Sequence, residues 1–205
     1  MLRITAKIAS WFLHPLLIPA IAIFVIFNSG TYISYIAFSA QKVIYGLVVI
    51  TTLFLPLTII PFLLNLNVIK SIQMRFHKER VVPLLITALN HLLCFYLLSN
   101  LPFPVPKFVR GFILACCIVI FLSALISLTW KISIYMTGIG ALLGMMIALS
   151  LSYNADLFNY IITIAVFAGM LGSARLILKT HTQPQVYAGV GLGSICLFVP
   201  LYFLI

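Results

Sequence analysis

The amino-acid sequence predicts an all-α, polytopic integral membrane helix bundle with six to seven transmembrane helices, and three observations lead there. Of 205 residues, 64% are hydrophobic and only 7% are charged, against about 25% charged in a soluble domain. The mean hydropathy is +1.25, so the chain has too little polar surface to enclose a core in water. The apolar residues fall into runs of about 20, the length that crosses a bilayer as a helix.

Seven runs can be placed, near 8–28, 43–66, 81–102, 108–130, 135–153, 157–178 and 185–205. The first follows a basic stub, "MLRITAK", of the kind that opens a signal peptide. No convincing small-residue cleavage site follows, and other spans come after, so it reads as an uncleaved helix. Pro15 and Pro19 should kink it, and Pro56 and Pro61 should kink the second. Between the third and fourth stands "NLPFPVPK", residues 100–107, whose prolines stop a helix firmly. If the flanking runs form a hairpin that does not fully cross, the count is six. The fifth run carries Gly138, Gly140, Ala141 and Gly144, and the seventh Gly189 and Gly193, small-residue faces suited to close helix packing. The sixth ends in the basic peptide "ARLILKTHTQPQ", residues 174–185. Trp11, Trp130, Tyr153 and Tyr160 read as interface anchors. The connectors are short, so residues 1–205 read as a single transmembrane domain.

Charge narrows the partners. Glu79 and Asp156 are the only acids against twelve Lys and Arg, a net charge of +10. The basic residues punctuate apolar runs and form no polar domain, which argues against nucleic acid and for the membrane's anionic headgroups or an anionic ligand. With seven spans, Arg3, Lys7, Lys70, Arg75, Lys78, Arg80, Lys131, Arg175 and Lys179 share one face, while Lys42, Lys107 and Arg110 share the other. That bias predicts a multi-pass protein of the inner (cytoplasmic) membrane with a cytoplasmic N-terminus. Cys94, Cys116, Cys117 and Cys196 lie inside apolar runs without metal-ligand spacing and read as core residues. No metal or other cofactor is expected. His14 and His91 read as interior hydrogen-bonding groups, and Glu79 as a brace for Arg75 or Lys78. Oligomeric state is left open.

Three clusters fall on the basic face: "KSIQMRFHKERVVP" (70–83), "WKISIYMTGIGALLG" (130–144) and the Arg175, Lys179, His181 stretch. Cations at helix ends often act only as snorkelling anchors, and Arg3, Lys7, Lys70, Lys107 and Arg110 read that way. Arg80, Arg175 and His181 are set apart by spacing. Arg175, five residues, His181, three residues and Gln185 resemble the third signature of the type-2 phosphatidic acid phosphatase superfamily, a membrane group related to the vanadium haloperoxidases. That signature has Arg, five residues, His, three residues, Asp. The second signature, Pro-Ser-Gly-His opening a helix, is matched in place by "ISIY", Ile132 to Tyr135. The first, Lys, six residues, Arg-Pro, is matched by Gln73 and Arg80, with the proline delayed to Pro83. The resemblance covers about residues 73–193. Arg80, Ser133, Arg175 and His181 keep the pattern. Gln73 replaces the lysine (Lys78 lies about a helical turn nearer Arg80), Tyr135 the second-signature histidine and Gln185 the aspartate.

The resemblance implies a metal-independent phosphohydrolase acting on an anionic phospholipid or a polyprenyl phosphate. His181 is then the nucleophile, and Arg80, Arg175 and Ser133, with Gln73 or Lys78, hold phosphoryl oxygens. Tyr135 stands where the usual acid does and Gln185 where the orienting aspartate does. A phenol is poorly matched to neutral pH, and an amide cannot offset an imidazolium charge. The expected enzyme is therefore slow, or acts on a diphosphate whose leaving group needs no acid. The alternative is a non-catalytic member that binds an anionic headgroup or serves as a subunit. The resemblance also implies work on the outer leaflet, opposite to the charge bias.

Overall fold

The computed structural model describes residues 2–71, 74 and 76–203. Among these residues, seven helices are long and apolar enough to cross a membrane: Arg3–Phe27, Phe38–Asn65, Lys78–Ser99, Lys107–Ile126, Ile134–Tyr153, Phe158–Ile177 and Gln183–Phe203. The chain is a multi-pass all-α bundle, and the count is seven rather than six because the two arms of the proline turn are each of spanning length.

The first apolar run is broken. Helix α1 (Leu2–Phe12) stops before His14, whose backbone is extended (ψ 134°), and a 3-10 turn at Pro15–Leu17 leads into α2 (Ile18–Phe27). Pro15 cannot donate to the preceding turn. The His14 Nδ1 accepts the Leu16 N–H at 3.3 Å and so starts the new turn. Pro19 lies in the first turn of α2 and causes no break there, where its missing N–H is not needed.

The second span joins α3 (Phe38–Val49) and α4 (Leu55–Asn65) through a π turn at Ile50–Phe54. Pro56 follows at once; with no N–H for the carbonyl four residues back, it leaves the ladder to widen. The Thr51 and Thr52 hydroxyls donate to Leu47 O and Val48 O at 2.8 Å each and keep the local carbonyls satisfied. Next come α5 (Val81–Ser99) and α6 (Lys107–Ile126), which pack as a hairpin across the proline turn. The bundle closes with α7 (Ile134–Tyr153), α8 (Phe158–Ile177) and α9 (Gln183–Phe203).

Helix α7 is central, and α7–α9 is the closest helix pair. Glycine makes that approach possible. A Cβ on Gly140 or Gly144 would overlap the Val190 or Ser194 carbonyl, and one on Gly193 would overlap the Thr137 carbonyl. Backbones this close gain van der Waals contact that lipid tails cannot replace. Large apolar side chains such as Phe24, Phe54, Phe62, Tyr96, Phe121, Phe167 and Met170 stay exposed on the outside, as a lipid-facing surface requires.

Candidate functional site

Short segments at the starts of α5, α7 and α9 and at the end of α8 meet at one end of the bundle. Ser133, at the N-cap position of α7, donates its N–H to Gln185 O at 3.3 Å, which ties the start of α7 to the start of α9. Arg80 donates from Nε to Met74 O at 3.1 Å and from Nη1 to Ile132 O at 3.3 Å. These bonds hold the turn before α5 against the lead into α7. His77 donates from Nδ1 to Ser127 O at 2.8 Å and pins the same turn to the end of α6.

Arg175, in the last turn of α8, is buried. Its guanidinium carbon lies 4.0 Å from the centroid of the Tyr135 ring, a cation–π contact. Its Nη2 donates to Ser10 Oγ, and its Nε is buried without a partner. Tyr135 in turn lies edge-to-face with His14, ring centroids 5.4 Å apart. Tyr135 is thus the platform on which Arg175 rests, with its ring between an arginine and a histidine from the first span.

His181 is buried in the turn between α8 and α9. Its Nδ1 lies 3.2 Å from Gln185 Oε1, and the Thr182 backbone N–H donates to the same atom at 3.1 Å. The atom facing a backbone N–H must be the amide oxygen, and an amide oxygen accepts only. Nδ1 therefore carries the proton, and Nε2 keeps its lone pair. Burial chiefly, then the charge of Arg80 with lesser effects from Lys131 and Arg175, lower the ring's pKa to about 4 against the opposing bond to Gln185. Lys131, beside Arg80, is also lowered, by burial first and by that arginine second.

Ser133 is fully buried, and its hydroxyl makes no cap bond and has no other partner. A serine at an N-cap ordinarily caps the N–H groups ahead of it; here the hydroxyl is left for something else at the positive end of α7.

The structure brings together Arg80, Ser133, Tyr135, Arg175, His181 and Gln185. Lys78 is exposed on the 3-10 turn Lys78–Arg80, away from these contacts, and Gln73 lies outside the described residues. So does Arg75, and among the described residues no carboxylate stands within 4.0 Å of a Lys, Arg or His nitrogen. The brace expected of Glu79 toward Lys78 is therefore not formed. Lys131, Ser10 and His14 join the site without having been assigned to it. Lys131 lies within a quoted cluster, whereas Ser10 and His14 carry no local signal, because only the packing of the first span puts them there. Among the described residues, no three His, Cys, Asp or Glu side chains are grouped to hold a metal.

Arg175 is buried and Arg80 and Lys131 are half-buried, and cations gathered in this way with no counter-ion among the described residues are costly. The arrangement is one that an oxyanion relieves: two planar guanidinium groups, a lysine, an unused hydroxyl and a helix start, around a neutral imidazole with a free lone pair. Comparison of the chain with protein-family models, with curated proteins and with solved structures finds no match.

Proposed function

We propose that this end of the bundle binds the phosphate of a lipid or polyprenyl phosphate and that His181 accepts its phosphoryl group. The observation that carries the reading is the meeting of Arg80, Arg175 and Lys131 around His181 with no carboxylate among them. It agrees with the resemblance to the type-2 phosphatidic acid phosphatases, which rests on Arg80, Arg175 and His181 but not on Lys131.

In this reading His181 Nε2 attacks phosphorus with its lone pair. The bond to the leaving oxygen breaks, and the electron pair departs on that oxygen. The imidazolium formed keeps its Nδ1–H on Gln185 Oε1 until water attacks the phosphohistidine and releases phosphate. Arg80 and Arg175 hold the oxygens over which charge spreads. Gln185 orients the ring without neutralising it, and Tyr135 is engaged as a platform, so a leaving group that needs no proton is favoured. A diphosphate meets that condition. Slow turnover is expected on phosphate monoesters.

The test uses the purified full chain in detergent with a panel of lipid phosphates and a polyprenyl diphosphate, and measures released phosphate. The diphosphate should be the best substrate, and His181→Ala should abolish release. Vanadate, which mimics the pentavalent state, should raise the melting temperature of the wild type. Release undiminished in His181→Ala rejects the nucleophile. Vanadate protection without any release leaves the second reading, a non-catalytic headgroup-binding protein, favoured by the amide at position 185.

A further inference from the structure

The first crossing is shorter than the apolar run that suggests it. His14 lies at the start of α7, its ring 5.4 Å from Tyr135. Pro15 and Ile18 reach Gly138, and Tyr32 meets Tyr153 at the far end of α7, ring centroids 5.1 Å apart. Residues 14–32 therefore run the length of α7, whose 20 residues span about 30 Å at ~1.5 Å per residue, close to the ~30 Å of hydrocarbon. None of that crossing is left for α1.

Helix α1 packs instead against α8, with Ser10 meeting Arg175 in the last turn of α8. Ser10 accepts from Arg175, and Arg3, Ile4 and Lys7 share a cavity of about 300 Å³ with Leu178. The helix buries Ala6 and Ser10, and exposes Arg3, Ile4, Lys7, Trp11 and Phe12. Cations beside exposed aromatic and aliphatic side chains, on a helix outside the span, are the pattern of a helix that lies in the headgroup layer. The cavity has two cations one helical turn apart and no carboxylate in its lining.

We infer that α1 is an interfacial helix and that the Arg3–Lys7 cavity seats the phosphate of an anionic phospholipid. Ile4 and Leu178 form the apolar side of that seat. Ser10 links the helix to Arg175, so the lipid lies beside the cationic cluster and not within it. The seat needs no hydrolysis at His181 and stands apart from the function proposed above.

Two measurements on the full chain in phosphatidylcholine vesicles test it. With Trp130→Phe, Trp11 is the sole tryptophan, and bromines high on the acyl chains should quench it more than bromines near their ends. Stronger quenching by the deep bromines would place α1 inside the span and overturn the inference. The second measurement is retention of phosphatidylglycerol against phosphatidylcholine by native mass spectrometry. Arg3→Ala and Lys7→Ala should each lower the preference about fivefold, the factor that ~1 kcal/mol per surface cation gives. Lys42→Ala with Lys107→Ala, exposed cations of the other face, should leave that preference unchanged, and inorganic phosphate should not displace the lipid. A preference unmoved by Arg3→Ala and Lys7→Ala, or displaced by free phosphate, rejects the seat.

Discussion

Thr182 gives its backbone N–H to the same Gln185 oxygen that faces His181, so the imidazole tautomer is set by a hydrogen bond and not by a charge. Two consequences can be measured. The ring's pKa of about 4 lies below the usual 6.5, so the folded chain binds fewer protons than the unfolded chain between those values. Stability from this group is whole above about pH 6.5 and is lost as pH falls toward about 4. Melting temperatures taken from pH 7.5 to pH 4 should show that decline, and His181→Gln should flatten it. The second consequence concerns charge. Gln185→Asp keeps an acceptor for Nδ1 and adds the missing negative charge, which should raise the ring's pKa and speed phosphate release by about 10²–10⁴ on a monoester substrate. An unchanged rate, with the acid limb of the pH profile unmoved, would mean that the imidazole takes no part in the step.

At the scale of helices, the apolar runs were legible within a few residues, because about 20 apolar residues in succession have one good conformation in lipid. Their interruptions were only half legible. Pro15 and Pro19 look alike in the sequence, yet one breaks a helix and the other sits harmlessly in a first turn. Position relative to the helix start decides, and composition does not report that. Nor does the run around Pro56 reveal that the helix widens into a π turn just ahead of it. The glycines were legible as a packing face but not by partner. Gly193 and Gly144 have backbone where a Cβ would go, whereas Gly169 has nothing within 4 Å. Gly193→Ala and Gly144→Ala should each destabilise by about 1–3 kcal/mol, the usual cost of overpacking. Gly169→Ala should be neutral or slightly stabilising, since alanine is the better helix former by ~1 kcal/mol. Thermal unfolding in detergent separates the two classes, and equal melting temperatures would contradict the α7–α9 contact.

For the whole molecule, the three basic clusters could be read in the sequence because seven spans of alternating direction bring the connectors after even-numbered spans to one side. Parity says nothing of which side chains touch. Lys78 stands next but one to Arg80 and stays outside, while Ser10 reaches Arg175 across 165 positions of sequence. The outcome is a bundle that gathers cations it does not neutralise, and this sets stability against binding. Without an anion, Arg80 and Arg175 repel each other in a medium that screens poorly, and Arg175 keeps an Nε with no partner. Arg175→Met preserves most of the volume over Tyr135, and Ser10 still donates to Ala6 O at 2.7 Å. The variant should therefore melt at or above the wild-type temperature when no ligand is present. With saturating vanadate the order should reverse, because the anion stabilises only the protein that retains its clamp, by an amount that grows with ligand over Kd. Arg80→Gln should show the same crossing to a smaller degree, since it also gives up the bonds to Met74 and Ile132. A variant less stable than wild type both with and without vanadate would mean that the arginines brace the fold and are not held ready for a ligand.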